Sequence, residues 1–434
     1  NERSKGGETK HVMIIVTFIF VCHCQLSMVL TIAVCCGKNV PSDTTVNMPL
    51  RYGLSERIGN FSIELLFHAS KSQPLGTNLI LSPFTVWTVL AVISEGATGE
   101  TLKQINDLIR VTAHNRVRVR GDYKNIAQWL QVKTNTIELA KINVMFINQE
   151  FLPLQDFKDA AKSEYDADSI YLDFKQADSA AESVNRVINN VTRGRIPKLV
   201  DSSYFSDAPM LLTSALYFKG QWSVPFNASL TELQPFYDNN GKKIGEVNMM
   251  YNKYTYPFAN IQELQARVIE LPYGTENRLS LIIILPNPGL SVEDMFYNFN
   301  NITIDKLFTE LKIAREMYGD DEVHCSIPRF KIESNLDLTP ILRERLGVTD
   351  LFDSVRARLT NIARVPLYVS RIIHKAEIEV TEEGTTASGA TTAEFANRFG
   401  AIRFDANRPF SYMIIEKFTN SIVFGGIYQT PSLY

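Results

Sequence analysis

The stretch from Glu377 to Phe410, EIEVTEEGTTASGATTAEFANRFGAIRFDANRPF, constrains this chain more than any other. It begins as a strand, with Ile378 and Val380 alternating with Glu377 and Glu379, and changes character at Glu382-Glu383-Gly384. From Thr385 to Ala393 every residue is Thr, Ala, Ser or Gly. Side chains this small bury little apolar area and cannot anchor a loop in a core, so a flexible linker is the simplest reading. Two features point elsewhere. Thr385, Ala387, Gly389, Thr391, Ala393 and Phe395 form one alternating set without formal charge, whereas Thr386, Ser388, Ala390, Thr392, Glu394 and Ala396 form a second set with a single charge. Such alternation lets a segment lie as a strand with one face buried and one wet, and small side chains suit insertion between strands already packed. The second feature is Phe395-Ala396-Asn397-Arg398-Phe399-Gly400, with one prominent cation. A trypsin-like protease, whose specificity pocket holds an Asp, reads an arginine as its cleavage residue. A cleavable bond joined to a segment able to become a strand is a trap.

The 434 residues are 45% hydrophobic and 21% charged, which describes a globular protein with a large core. A net charge of −3 gives no general case for nucleic-acid binding. Residues 1–37 read as a removable leader: a polar, mildly basic start is followed by a mostly apolar run from His11 to Cys36, about long enough to span a bilayer. Its N-terminal place and its ending in Ala33, Cys35, Cys36 and Gly37 favour a cleaved signal peptide over an anchor. The expected product is therefore secreted and extracellular, with no stable membrane insertion once the leader is removed, and residues 38–434 form one domain. Cys22, Cys24, Cys35 and Cys36 lie in the leader, leaving Cys325 as a buried core thiol. Four N-glycosylation triplets, at Asn60, Asn190, Asn227 and Asn301, fit a secreted glycoprotein. No Gly-x-Ser-x-Gly elbow, His-Glu-x-x-His or phosphate-binding glycine loop occurs, so neither an enzyme nor a metal or other cofactor is expected.

The hinge Glu382, Glu383, Gly384, Thr385, Thr386, Ala387, Ser388, Gly389, Ala390 resembles that of the serpins, whose reactive-centre loop usually reads Glu-Glu-Gly-Thr and then several Ala. In inhibitory members the cleaved bond follows the residue fourteen places after that glycine, which here is Arg398 and makes Arg398–Phe399 the reactive bond. Phe399 departs from the Ser more usual after the bond. The resemblance extends in order over roughly Leu54 to Pro431. Asn78-Leu-Ile-Leu-Ser82-Pro83-Phe84-Thr85 is similar to the family's N-terminal signature, with Ser82 and Thr85 under the central sheet where they control whether its strands part. A serine cap followed by a proline in the first turn of a helix accounts for the same residues. A helix ending at Gly194 places Asn185 at the matching shutter position, and LLTSALYFKGQWSVPF resembles the strand beside the insertion gap. Within it Ser214 stands where Asn is usual, and Trp222 matches the aromatic at the top of the gap. In VSRIIHKA, His374 matches the shutter histidine, although a satisfied core histidine is the ordinary reading.

The resemblance implies an α+β fold: a large central β-sheet with two further sheets, about eight or nine helices and an exposed reactive-centre loop at about 382–403. It implies a monomeric suicide-substrate inhibitor of trypsin-like serine proteases that traps the acyl-enzyme by inserting its loop as a new central strand. The alternative is a non-inhibitory serpin acting as carrier or chaperone, whose hinge usually carries bulky or charged residues; this hinge has none. A second partner class comes from Arg110, Arg116, Arg118, Arg120 and Lys124. Alternation with valines puts Arg116, Arg118 and Arg120 on one side of an extended segment, and clustered cations attract the sulfates of a glycosaminoglycan. A solvated loop explains the same charges.

Overall fold

A computed structural model describes residues 53–206, 208–318, 321–383 and 402–434. Among these residues are nine α-helices, numbered along the chain: α1 (Leu54–Lys71), α2 (Pro83–Gly96), α3 (Gly99–Ile109), α4 (Arg116–Trp129), α5 (Gln155–Tyr165), α6 (Ala177–Val191), α7 (Val292–Asn298), α8 (Ile304–Tyr318) and α9 (Thr339–Glu344). A five-stranded sheet runs in the order β11 (Phe330–Asp337), β12 (Arg371–Val380), β4 (Met210–Gly220), β2 (Ile137–Asn148), β3 (Asp168–Leu172). A four-stranded sheet joins β13 (Ile402–Asp405), β10 (Val323–Pro328), β6 (Lys243–Tyr254) and β5 (Glu232–Tyr237). A six-stranded sheet joins β1 (Leu79–Leu81), β15 (Ser421–Tyr428), β14 (Phe410–Glu416), β9 (Leu279–Pro286), β8 (Ala266–Tyr273) and β7 (Phe258–Ile261).

The five-stranded sheet is covered on both faces, and the period-two pattern of its strands shows why. Ile142, Val144 and Phe146 of β2 share one apolar cluster with Leu211 and Ala215 of β4, Ile373 of β12, and Val184 and Ile188 of α6. Their neighbours Leu139, Met145 and Ile147, with Leu212 and Leu216 of β4, belong instead to the main core with Phe84 and Trp87 of α2. α6 thus lies across the front of the sheet and α2 behind it. Nearly every side of α2 is buried, as expected of a helix held between two sheets. It starts where the sequence indicates: Pro83 occupies the first turn and the Ser82 hydroxyl accepts from the Thr85 amide at 3.4 Å. Gly426 in β15 permits the close crossing of β1, since a Cβ there would lie 2.2 Å from the Leu79 carbonyl oxygen.

One helix boundary shifts. The last helical residue over Asn185 is Val191, and Gly194 closes the end as expected of a glycine stop: at positive φ, its amide donates to the Asn189 carbonyl at 2.8 Å. Cys325 is fully buried as expected, and burial pushes its thiol pKa up.

Candidate functional site: the seam of the five-stranded sheet

β12 and β4 are direct neighbours and run parallel, paired from Arg371–Leu211 to Glu377–Tyr217. Above that point they part. β12 stays paired to β11 up to Val380, and β4 stays paired to β2 up to Gly220, but the two strands no longer bond each other. The fork holds a cleft of about 150 Å³ lined by Tyr217, Lys219, Glu377, Glu379 and Thr381. Below it the seam is closed down to the bond from the Ser370 amide to the Met210 carbonyl, 2.9 Å.

The mouth of this fork is built from residues far apart in the chain. The Trp222 indole N–H donates to the Thr381 carbonyl at 2.7 Å, and its ring stacks on Tyr273 with centroids 4.3 Å apart. The next residue, Glu382, is 5% exposed although it is a carboxylate. Its burial is compensated: the Thr231 hydroxyl donates to Oε1 at 2.7 Å, Arg329 lies at 3.3 Å, and the Glu382 carbonyl accepts from the Phe226 amide at 2.9 Å. Glu383 is exposed. The chain resumes as β13, which runs parallel to β10 in a different sheet. Residues 384–401, which hold Gly384, Thr385, Thr386, Ala387, Ser388, Gly389, Ala390 and the bond Arg398–Phe399, lie outside the described residues.

Halfway down the seam, His374 is paired with Ser214 in the parallel register and is fully buried. The Ser82 amide, at the start of α2, donates to His374 Nε2 at 2.9 Å. An acceptor nitrogen carries no proton, so the ring proton sits on Nδ1 and is donated to the Ser214 hydroxyl oxygen at 2.7 Å. Burial lowers the His374 pKa to about 3, which matches a neutral ring. The Ser82 hydroxyl is turned away to the Val423 carbonyl at 2.7 Å, and the Thr85 hydroxyl donates to the Ser82 carbonyl at 3.1 Å. Ser82, Thr85, Ser214 and His374 therefore form one cluster that joins both strands of the seam to α2.

Asn185 is not part of that cluster. It sits on α6 at the front of the sheet, where its Oδ1 accepts from the Leu199 and Val200 amides at 2.7 and 3.0 Å and its Nδ2 donates to the Val200 carbonyl at 2.9 Å. The same segment is tied to the sheet by Lys375, which donates to the Lys198 carbonyl at 3.1 Å and pairs with Glu333 at 2.5 Å. Asn185 thus fastens the chain leaving α6. Sequence reasoning missed Lys375, Thr231 and Arg329. The signal available for Lys375 was a lysine between His374 and Ala376 in the apolar start of β12.

The basic segment also differs from its expected form. Residues 116–129 are the helix α4, so Arg116, Arg118 and Arg120 do not line one edge. Val119, Tyr123 and Ile126 are buried at helical spacing, whereas Val117 is 80% exposed; the alternating valines gave a period-two signal that the core does not use. Each cation has an acid. Arg116 and Arg120 clasp the buried Glu95 at 3.0 and 2.6 Å, and the Tyr165 hydroxyl donates to the same carboxylate at 2.8 Å. Burial alone would raise the Glu95 pKa, but the hydrogen bonds from Arg120 and Tyr165 and the Arg116 charge bring it below the usual carboxylate range. Arg110 pairs with Glu64 at 3.0 Å, Arg118 with Asp122 at 3.7 Å and Lys124 with Glu164 at 2.9 Å. Of the four sequon asparagines, Asn190, Asn227 and Asn301 are exposed, while Asn60 is half-buried on α1.

A sheet closed below and forked above, with Glu382 anchored beside the fork, is the geometry of the site. A family model described as Serpin (serine protease inhibitor) matches residues 56–431. Human leukocyte elastase inhibitor is 31% identical over 387 residues, covering 87% of this chain and 99% of that protein. Human plasminogen activator inhibitor 2 is 27% identical over 412 residues, covering 86% and 98%. The crystal structure of Serpin48 from the insect Tenebrio molitor superposes with a TM-score of 0.71 at 26% identity, covering 87% of this chain and 98% of that one. The chain belongs to the serpin family, and the expected fold, with three sheets and eight or nine helices, is the one observed.

Proposed function

We propose that this serpin is a secreted, monomeric suicide inhibitor of trypsin-like serine proteases, with Arg398–Phe399 as the reactive bond. The protease serine attacks the Arg398 carbonyl and the amine of Phe399 leaves, giving an acyl-enzyme ester. The freed segment from Thr385 to about Asn397 enters the fork between β4 and β12 as a new central strand. The tethered protease is carried along and distorted, and with its oxyanion hole and triad displaced, deacylation stalls. The observation that carries this reading is the seam itself: β12 and β4 are unpaired above Glu377–Tyr217, directly below the anchored Glu382. The small, uncharged hinge side chains support the inhibitory over the carrier reading. Exposure of Asn190, Asn227 and Asn301 is compatible with glycans there, and Asn60 is proposed as a fourth site. Because the five cations around α4 are all paired, glycosaminoglycan binding is not part of the proposal.

Mixing the secreted protein with trypsin tests it. A detergent- and heat-stable band near the summed masses, with the new terminus mapped after Arg398, is expected. Clean cleavage at Arg398 with full protease activity retained would move the reading to the carrier class.

A further inference from the structure

On β2, Asn143 lies directly across the strand pair from Ser214. Both side chains face α2: Asn143 alternates with Ile142 and Val144, which face α6, and Ser214 alternates with Ala215 in the same way. Asn143 is 6% exposed, and its Oδ1 receives no hydrogen bond. A buried amide oxygen without a donor destabilises the state that contains it. Ser214 is its neighbour in the sheet row, where the Ser214 Oγ is held across the seam as the acceptor of the His374 Nδ1–H at 2.7 Å, and from that position its own O–H makes no bond to Asn143. When β4 separates from β12 that bond breaks, while β4 stays paired to β2 along its length. Released from the ring, the Ser214 side chain is free to turn its O–H toward the Asn143 oxygen, an acceptor that lacks a donor.

We propose that Ser214 exchanges partners as the seam opens, passing from His374 to Asn143, so that the unpaired Asn143 oxygen loads the closed sheet and is satisfied in the open one. Asn143 is thereby a positioning residue for strand insertion, acting through Ser214 without touching the loop or the protease. The inference rests on the proposed insertion mechanism, and the test separates the two.

A synthetic peptide with the sequence Thr385–Arg398 is incubated with the intact protein, and its incorporation rate is followed by native gel shift. The rate is measured for the wild type, Asn143→Leu, Ser214→Ala and the double variant, with near-ultraviolet circular dichroism as the check on folding. Leucine keeps the branched heavy-atom shape of Asn143 and removes the unpaired oxygen. Asn143→Leu is expected to slow incorporation several-fold and raise the melting temperature in the wild-type background, and to leave the rate unchanged in the Ser214→Ala background. Ser214→Asn, whose longer amide can supply the donor before opening, is expected to slow incorporation as well. Equal slowing by Asn143→Leu in both backgrounds, no slowing in the wild type, or no incorporation at all would overturn the exchange. Failure of the wild type to form a covalent band with trypsin counts against the trap alone, because the peptide rates report on the seam independently.

Discussion

The His374 ring is neutral, buried and fixed between Ser82 and Ser214, so its protonation state is part of the fold. With a folded pKa of about 3 against about 6.5 in an unfolded chain, the unfolded state binds a proton that the native state refuses. The contribution is complete above about pH 6.5 and is lost progressively as the pH falls toward about 3. Melting temperatures across that window should fall more steeply for the wild type than for His374→Gln; equal slopes would mean the ring does not stay neutral. At the hinge, Thr385→Arg puts a charge on the inward set of the inserting segment and is expected to convert the inhibitor into a substrate. Titration against trypsin would show several-fold more protein consumed per enzyme blocked, and unchanged trapping would sink the insertion mechanism. The His374 cluster was legible because each member sits in a recognisable motif. The bracket around Glu382 was not, since Thr231 is 151 residues away in sequence and Arg329 is 53 away, and nothing local marks a buried glutamate.

Helix α4 shows how an element can be misread when two periodicities coexist. The alternation Arg116-Val117-Arg118-Val119-Arg120 fits a strand, yet only Val119 among these valines is buried, and it does so with Tyr123 and Ile126 on a helical stripe. In β11, by contrast, alternate residues are buried, so the period-two pattern and the core agree. What fixes α4 is the clasp on Glu95, whose side chain is 6% exposed. Removing that carboxylate leaves Arg116 and Arg120 facing each other without a counter-charge, so Glu95→Gln is expected to cost about 3 kcal/mol in the first denaturant transition. A loss below about 1 kcal/mol would place the pair among solvent-screened surface contacts. The same pairing predicts weak retention on a heparin column, with elution near physiological salt; retention well above that would show that sulfates displace the acids.

For the molecule as a whole, the covered sheet, its two neighbours and the order of motifs were legible because the resemblance runs over nearly the entire chain. The closed seam was not, because whether β4 and β12 touch or stand apart depends on long-range register that no local pattern encodes. Insertion of one strand adds on the order of ten ladder hydrogen bonds at about 1 kcal/mol each. Cleavage at Arg398 should therefore raise the melting temperature by on the order of 20 °C. Calorimetry of intact and cleaved protein measures this directly, and an unchanged transition would show that the cut segment stays outside the sheet.

The parallel sense of the seam has a directional consequence. Because β12 and β4 point the same way, a chain that doubles back at the top of β12 runs against both at once, and successive residues that enter bond to the two edges in turn. Progress is then a ratchet: every step down satisfies more backbone than the step before, and retreat must undo two ladders together. The side chains police the pitch of this ratchet. In the proposed insertion, a slip by one residue would turn the set that carries Glu394 to the face meant for Thr385, Ala387 and Gly389, so a single carboxylate would keep the incoming strand in step.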